Sequence, residues 1–285
     1  MKFGVILPSF GNGATRLGMV DCLLAAERLG FDSAWLTDHL ALPQADAERF
    51  GHLFEAVSSL GYLAALTARI RLGISSLVLP QRNPVEVAKA LATLDVLSGG
   101  RTLLAVGVGW SEGEFRNLGA NFQDRGKRMD EAVQVLRSLW RGGRVVQYSG
   151  KYYQFEDLVF SPQPVQAGGP PLWVAGDAPV ALKRALRLGD GWHPNARPPE
   201  ELARALRPYR TMLARRPFTV CLRLRLNFER PEASLHGAPE EVAEQLRAYE
   251  SAGMNYALIH FEAETHAERE RAMRRFAQEV VPALA

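Results

Sequence analysis

The sequence predicts a closed (β/α)8 barrel, on three observations. Eight short apolar segments are each followed by a stretch with helical periodicity, all within 285 residues. The segments are apolar without clean alternation, as expected of parallel strands covered on both faces. Eight βα units in this length close into a cylinder more readily than they open into a flat sheet. An open doubly wound sheet is the alternative.

The first strand, Phe3 to Leu7, ends at Pro8. A helix follows from Leu17 to Leu29, with Val20, Leu23, Leu24 and Leu29 on one face and Gly30 as its stop. Phe31 to Leu36 is the second strand, closed by Thr37-Asp38-His39, and Phe54 to Thr67 is its helix. The third unit is the clearest. Ile70 to Leu79 reads as a strand, Asn83 as a helix cap, Pro84 as the first helical position and Glu86 as the other half of a capping box. Val87, Leu91 and Leu94 share a face, and Gly99-Gly100 stops the helix. Thr102 to Val106 is the fourth strand and runs into Gly107-Val108-Gly109. Its helix spans Arg125 to Trp140, with Met129, Val133, Leu136 and Trp140 aligned.

The rhythm then breaks from Gly142 to Pro171. Val145 to Phe155 reads as a β-hairpin turning at Ser149-Gly150, and Pro162, Pro164, Pro170 and Pro171 make the rest a loop. Residues 142–171 are therefore an insertion between strands four and five of one domain spanning 1–285. Leu172 to Ala175 resumes the pattern, and a helix starts at Gly176-Asp177-Ala178-Pro179, where Asp177 reads as its N-cap. Asp190 to His193 is a very short strand, followed by a helix from Glu200 to Arg215 kinked at Pro208. Phe218 to Phe228 and Asn255 to His260 are the last strands, with helices over Pro239 to Ala252 and Arg269 to Val281.

Composition narrows the function. The formal charge is +3, and the 34 basic residues are 29 Arg and 5 Lys. Nucleic-acid binding needs a concentrated basic face, whereas Arg204 to Arg216 alternates with Leu and Ala like a solvated helix. No nucleic acid and no membrane partner is expected. Cys22 and Cys221 make no disulfide framework, and Phe3 to Leu7 is too short for a signal peptide, so the expected location is cytoplasmic.

In a barrel the working residues sit where strands end at the C-terminal face. Asp38-His39 ends the second strand. His39 there can move a proton or bond a bound ring, or it is a loop histidine satisfied by backbone. Ser75-Ser76 ends the third strand and reads on its own as turn residues. Gly107, Val108 and Gly109 allow close backbone approach to a ligand or form a rim bulge. They are not a dinucleotide fingerprint, because Glu112 occupies the place of the third glycine. Gly176 and Asp177 open a helix whose N–H groups favour a phosphate, although a capping carboxylate would compete. Glu114, anchored by Phe115, is expected to make a structural hydrogen bond. Arg223 and Arg225 alternate with leucines, so they meet an anionic group or pair with acids. His193 and His260 lie at strand ends with no metal spacing.

Four segments together resemble the luciferase-like flavin-dependent oxidoreductases: FDSAWLTDHLALP, LGISSLVLPQRNPVEVAKALATLDVLSGGR, LLAVGVGWSEGEFRNLG and LWVAGDAPVALKRALRLGDGWHP. The likeness extends over nearly the whole chain and looks closest to the branch using coenzyme F420, while FMN-using members share most of its features. It implies a TIM barrel with the ring in its mouth and a non-proline cis peptide at Ser75–Ser76. Asp38 and His39 match the dipeptide bordering the ring, Gly107 to Gly109 the loop beside it, and Ala175, Gly176 and Asp177 the phosphate turn. Trp192 matches a structural tryptophan. Sugar-phosphate-oxidising members place a carboxylate proton donor where this chain has Trp110, which shifts the expectation toward a hydrophobic organic substrate.

The expected activity is hydride transfer between F420 and a small molecule, with His39 orienting or protonating. The alternative is an FMN-dependent monooxygenase whose oxygen chemistry is sheltered by the insertion; the second alternative is a barrel that binds flavin without turnover. The resemblance also implies a homodimer.

Overall fold

Eight parallel strands close on themselves in the computed structural model, which describes every residue except Asn12, Arg49 and Ala285. In chain order they are β1 (Lys2–Ile6), β2 (Ser33–Leu36), β3 (Arg71–Val78), β4 (Thr102–Gly107), β7 (Leu172–Ala175), β8 (Gly191–His193), β9 (Thr219–Leu226) and β10 (Tyr256–Phe261), and β10 pairs back to β1. Between β4 and β7 the chain forms the antiparallel hairpin β5 (Val145–Ser149) and β6 (Gln154–Val159). The (β/α)8 architecture with a hairpin insertion is therefore the one the sequence predicts.

Side chains fill the cylinder, so it is a core and not a pore. Ile6, Trp35, Leu103, Ala105, Trp173, Cys221, Tyr256 and Leu258 make one buried cluster. Trp35 stacks on Trp173 with centroids 5.0 Å apart. Gly73 makes room for this pair, since a Cβ there would stand 2.4 Å from Trp35. The polar tips are satisfied: Trp35 Nε1 donates to Ser33 Oγ at 2.5 Å, and Ser33 Oγ lies 2.6 Å from Tyr256 OH. A second cluster packs the outer strand faces against the helices.

The helices follow the apolar periodicity, with local differences. In α1 (Arg16–Arg28) the buried stripe is Met19, Cys22, Leu23 and Ala26, one step round from the expected face; Leu17 is exposed. In α3 (Pro84–Ser98) Val87, Leu91 and Leu94 are buried as expected. The capping box read there reduces to Asn83, whose side chain accepts from Val85 N–H at 2.9 Å. In α5 (Arg125–Arg141) Met129, Val133, Leu136 and Trp140 are all buried. Around Pro208 the helix breaks into α7 (Pro199–Leu206), a 3-10 turn and a short α8 (Arg210–Leu213). The last helix, α10 (His266–Arg275), starts earlier than expected because Thr265 and Glu268 form a capping box, and it continues as a π-turn at Phe276–Val280.

The insertion packs on the outside of the barrel, against α5 and the start of β4. Gln166 donates to the Asp95 carboxylate and to Thr102 O, at the end where β4 begins. In the hairpin turn, Tyr152 and Tyr153 N–H groups bond Glu131 on α5. No described residue of 142–171 lines the cleft described below. The segment thus contributes no side chain to the cleft wall as the structure stands.

Candidate active site

The C-terminal ends of the barrel strands surround a cleft of about 540 Å³. Its lining includes Asp38, His39, Ser75, Ser76, Gly107, Val108, Gly109, Ala175 and Gly176. Strand ends distant in sequence thus converge on one space. Among the residues singled out from sequence, Asp177 is beside this cleft but not in its lining.

At the end of β3 the Cα register with β4 breaks between Ile74 and Leu77. The Ser75–Ser76 peptide in that break is cis, as the resemblance implies. Ser75 Oγ lies 2.7 Å from Nε2 of His193, and His193 Nδ1 lies 2.8 Å from Cys221 O. Burial between Trp35 and Trp173 lowers the His193 pKa to about 4, and the nearby Arg223 charge also favours the neutral ring. Across the same floor, a Cβ on Gly107 would sit 2.7 Å from Ser76 Oγ. The missing side chain is what keeps the floor open.

At the rim, His39 is held from both sides. Its Nδ1 lies 3.0 Å from Glu114 Oε2, and Trp110 Nε1 donates to its Nε2 at 3.3 Å. An indole N–H can only donate, so Nε2 accepts, and the ring proton is on Nδ1 facing the carboxylate. Glu114 is fully buried, on the short α4 (Glu112–Asn117). It also accepts from Leu40 N–H at 2.7 Å, Ala41 N–H at 3.2 Å and Gln81 at 3.1 Å. Burial alone would raise its pKa; the bonds from His39, Leu40 and Gln81 outweigh it and hold the carboxyl at about 2. The structural hydrogen bond expected of Glu114 is therefore to the candidate catalytic histidine. Phe115 anchors the segment, fully buried and edge-on to Phe122.

Asp38 borders the cleft with its carboxylate turned inward. Val78 N–H donates to it at 2.9 Å and Arg82 at 2.8 Å. Desolvation raises its pKa, and the Arg82 charge opposes that rise. Asp177 is not the N-cap read from the sequence. Ala178 occupies that position without a side-chain bond, because Asp177 instead accepts from Asn195 and Arg197. The start of α6 (Pro179–Leu188) is thereby left uncapped by any side chain. Trp192 is structural, as expected: its Nε1 donates to Gly176 O at 2.9 Å and fixes the turn. Arg223 and Arg225 both line the cleft; Arg225 pairs with Glu262 at 3.2 Å, and Arg223 donates to Thr37 Oγ1 at 3.5 Å.

Sequence reading missed Arg82, Phe50, Asn195 and Ser234. Arg82 could have been found, because a buried carboxylate demands a cationic partner. Phe50 packs 5.1 Å from His39, and like Ser234 it comes from a loop without periodic signal. Among the described residues no group of three or more His, Cys, Asp or Glu could hold a metal, and no helix is long and apolar enough to cross a membrane.

Fold and cleft together define a (β/α)8 barrel whose mouth opens into a cleft, with a carboxylate-backed histidine at its edge. Residues 1–226 match the luciferase-like monooxygenase family, and the chain belongs to it. It is 36% identical over 178 residues to an F420-dependent glucose-6-phosphate dehydrogenase of Kineococcus radiotolerans, covering 61% of this chain and 51% of that protein. The chain thus spans about half the length of such curated relatives. Two solved structures share the fold over the whole of this chain. Monooxygenase RslO1 of Streptomyces bottropensis superposes with a TM-score of 0.84 at 24% identity, covering 100% of that chain. An F420-dependent secondary alcohol dehydrogenase, in complex with an F420–acetone adduct, superposes with 0.83 at 20% identity, covering 99% of that chain.

Proposed function

We propose that this protein is an F420-dependent oxidoreductase that moves hydride between the deazaflavin and a small organic substrate. The observation that carries the reading is the convergence of Ser75–Ser76, Gly107–Gly109 and Ala175–Gly176 on one cleft bordered by His39 and Glu114. The names of curated relatives called F420-dependent support the choice of cofactor. The residues fit such a group. Gly107 leaves open a floor that a Cβ would crowd, and the uncapped start of α6 offers backbone N–H groups to a phosphate.

In this reading the ends of β3 and β4 hold the ring, and Ala175 to Asp177 with α6 hold its phosphate. When bound, the deazaflavin supplies the two-electron hydride step. The chain supplies proton handling. His39 Nε2 is the acceptor that takes a proton from a substrate hydroxyl on oxidation, and the imidazolium returns it to a carbonyl on reduction. Glu114 orients the ring and offsets the charge that forms there. Asp38 and Arg82 fix the end of β2 against the end of β3, so that His39 and Ser75 keep their spacing.

The substrate is read from the rim. Trp110 stands 5.6 Å and Phe50 5.1 Å from His39, and Phe10 is 5.0 Å from Phe50. These rings, with no carboxylate at position 110, support a hydrophobic carbonyl or alcohol rather than a sugar phosphate. Residues 1–285 act in this reading as one catalytic unit, cytoplasmic and homodimeric, which sedimentation would check. The deciding experiment titrates apoprotein with coenzyme F420 and with FMN while following fluorescence. Tighter binding of F420 is expected; preference for FMN would move the protein to the oxygen-using branch, and binding of neither overturns the reading.

A further inference from the structure

The hydroxyl of Ser75 has only one direction for its proton. Cys221 O can only accept, so the His193 nitrogen 2.8 Å from it, Nδ1, carries the N–H. His193 is 5% exposed and enclosed by Trp35 and Trp173; this burial, helped by the Arg223 charge, disfavours a second proton on the ring and outweighs the Cys221 carbonyl and the Asp177 charge, which favour one. Its Nε2 is therefore an acceptor. Ser75 Oγ, 2.7 Å away, must donate to it. A hydroxyl has one proton, and here it is held by His193 Nε2, a neighbour on the same cleft floor, rather than offered to a ligand. What remains toward the ligand is lone-pair density.

We propose that Ser75 is a fixed hydrogen-bond acceptor on the cleft floor, its polarity set by His193, and that it selects an N–H edge of a planar ligand over a carbonyl edge. His193 is the positioning residue. It is not a base for the reaction, because a ring this resistant to protonation takes up no proton near neutral pH. The inference rests on the reading of the cleft as a flavin or deazaflavin site. Both kinds of ring carry an imide N–H flanked by two carbonyls. A serine free to rotate would serve either kind of group, whereas this one serves the N–H.

Two measurements test it. In 15N-histidine-labelled apoprotein, a long-range 1H–15N correlation spectrum reports which nitrogen of His193 is protonated. Assignment can use Gln variants of the other histidines, so it does not depend on a His193 variant folding. The expected pattern is protonated Nδ1 with bare Nε2, unchanged between about pH 6 and 8; protonated Nε2 overturns the proposal. The second measurement titrates wild type and Ser75→Ala with FMN and with N3-methylated FMN, and repeats the parent titration with F420. Loss of one hydrogen bond should weaken binding of the parent rings roughly 3- to 10-fold and leave the methylated ring unaffected. Equal weakening of parent and methylated rings means a merely structural serine and overturns the proposal, as does no weakening at all. Wild type that binds neither parent ring overturns the reading of the cleft and this inference with it. Failure of this inference alone leaves wild-type binding intact.

Discussion

His39 Nδ1 lies 3.0 Å from a Glu114 carboxylate that is itself out of contact with solvent. The pair joins a residue after β2 to one on the helix after β4, 75 positions apart in the chain. Its effect is to leave Nε2 as the only proton-accepting atom of the ring. His39→Ala should cost turnover about 10²- to 10⁴-fold, the usual worth of a general acid–base group, and change cofactor affinity much less. Glu114→Gln should lose part of that activity with the fold intact. Steady-state kinetics beside fluorescence titration separate these effects, and unchanged turnover in His39→Ala would make it scaffold.

The same carboxylate sets a pH dependence of stability. Its folded-state pKa of about 2 lies below the ordinary glutamate value, so the unfolded chain binds its proton first as pH falls. The stabilisation is fully present above about pH 4.5 and is lost progressively toward pH 2. Thermal unfolding of wild type and Glu114→Gln should therefore differ by a constant amount from pH 7 to 5. The gap should narrow below that range; a gap that widens there contradicts the assignment.

Arg82 and Asp38 form a buried pair at 2.8 Å, with Arg82 also 3.6 Å from Glu55. Removing the cation strands a carboxylate that is wholly inaccessible. Arg82→Met should cost about 3–5 kcal/mol, measured as a lowered midpoint in thermal or urea unfolding. Asp38→Asn in the same background should recover part of the loss, because a neutral amide needs no counter-charge.

How far the sequence speaks to this site depends on which forces shape each part. Strand ends were legible where apolar runs stop, so Asp38-His39 and Gly107–Gly109 could be placed at the mouth before any contact was known, whereas Ser75-Ser76 lies inside the apolar run to Leu79 and gained its place beside the ring from the family resemblance. The uncapped start of α6 was not legible. Asp177 looks like a cap by position, yet Asn195 and Arg197, eighteen and twenty residues on, draw its carboxylate away. Local propensity cannot report that competition. The insertion is legible only in part for a related reason: its composition marks a break in the rhythm, but what it packs on is decided by distant partners such as Gln166 with Asp95 and Thr102 and the hairpin with Glu131. Arg82 needed tertiary structure as well, since its pairing to Asp38 spans 44 residues.

Gly107 tests whether the floor of the cleft is a binding surface. A Cβ there meets Ser76 Oγ at 2.7 Å, closer than real Cβ contacts run. Gly107→Ala should therefore push the Ser76 hydroxyl or fill the space a flat ligand needs. Ring affinity is expected to fall by more than about 10-fold, beyond the loss of a single hydrogen bond. Wild-type affinity in this variant would put the ligand elsewhere in the mouth.

Trp110 gives a last test, because it occupies the atom that His39 would use. Its indole N–H lies 3.3 Å from Nε2, yet the side chain is 53% exposed, so displacing it costs little packing. A substrate that engages Nε2 must first break this bond. Trp110→Phe keeps an aromatic rim and deletes only the competing donor. The apparent KM should fall roughly 2- to 10-fold, the worth of one net hydrogen bond, and kcat should move less. Stability should stay within about 0.5 kcal/mol, as for other exposed positions. A KM that rises instead would show that the indole itself packs on the substrate, and the competition between Trp110 and substrate for His39 would then be wrong.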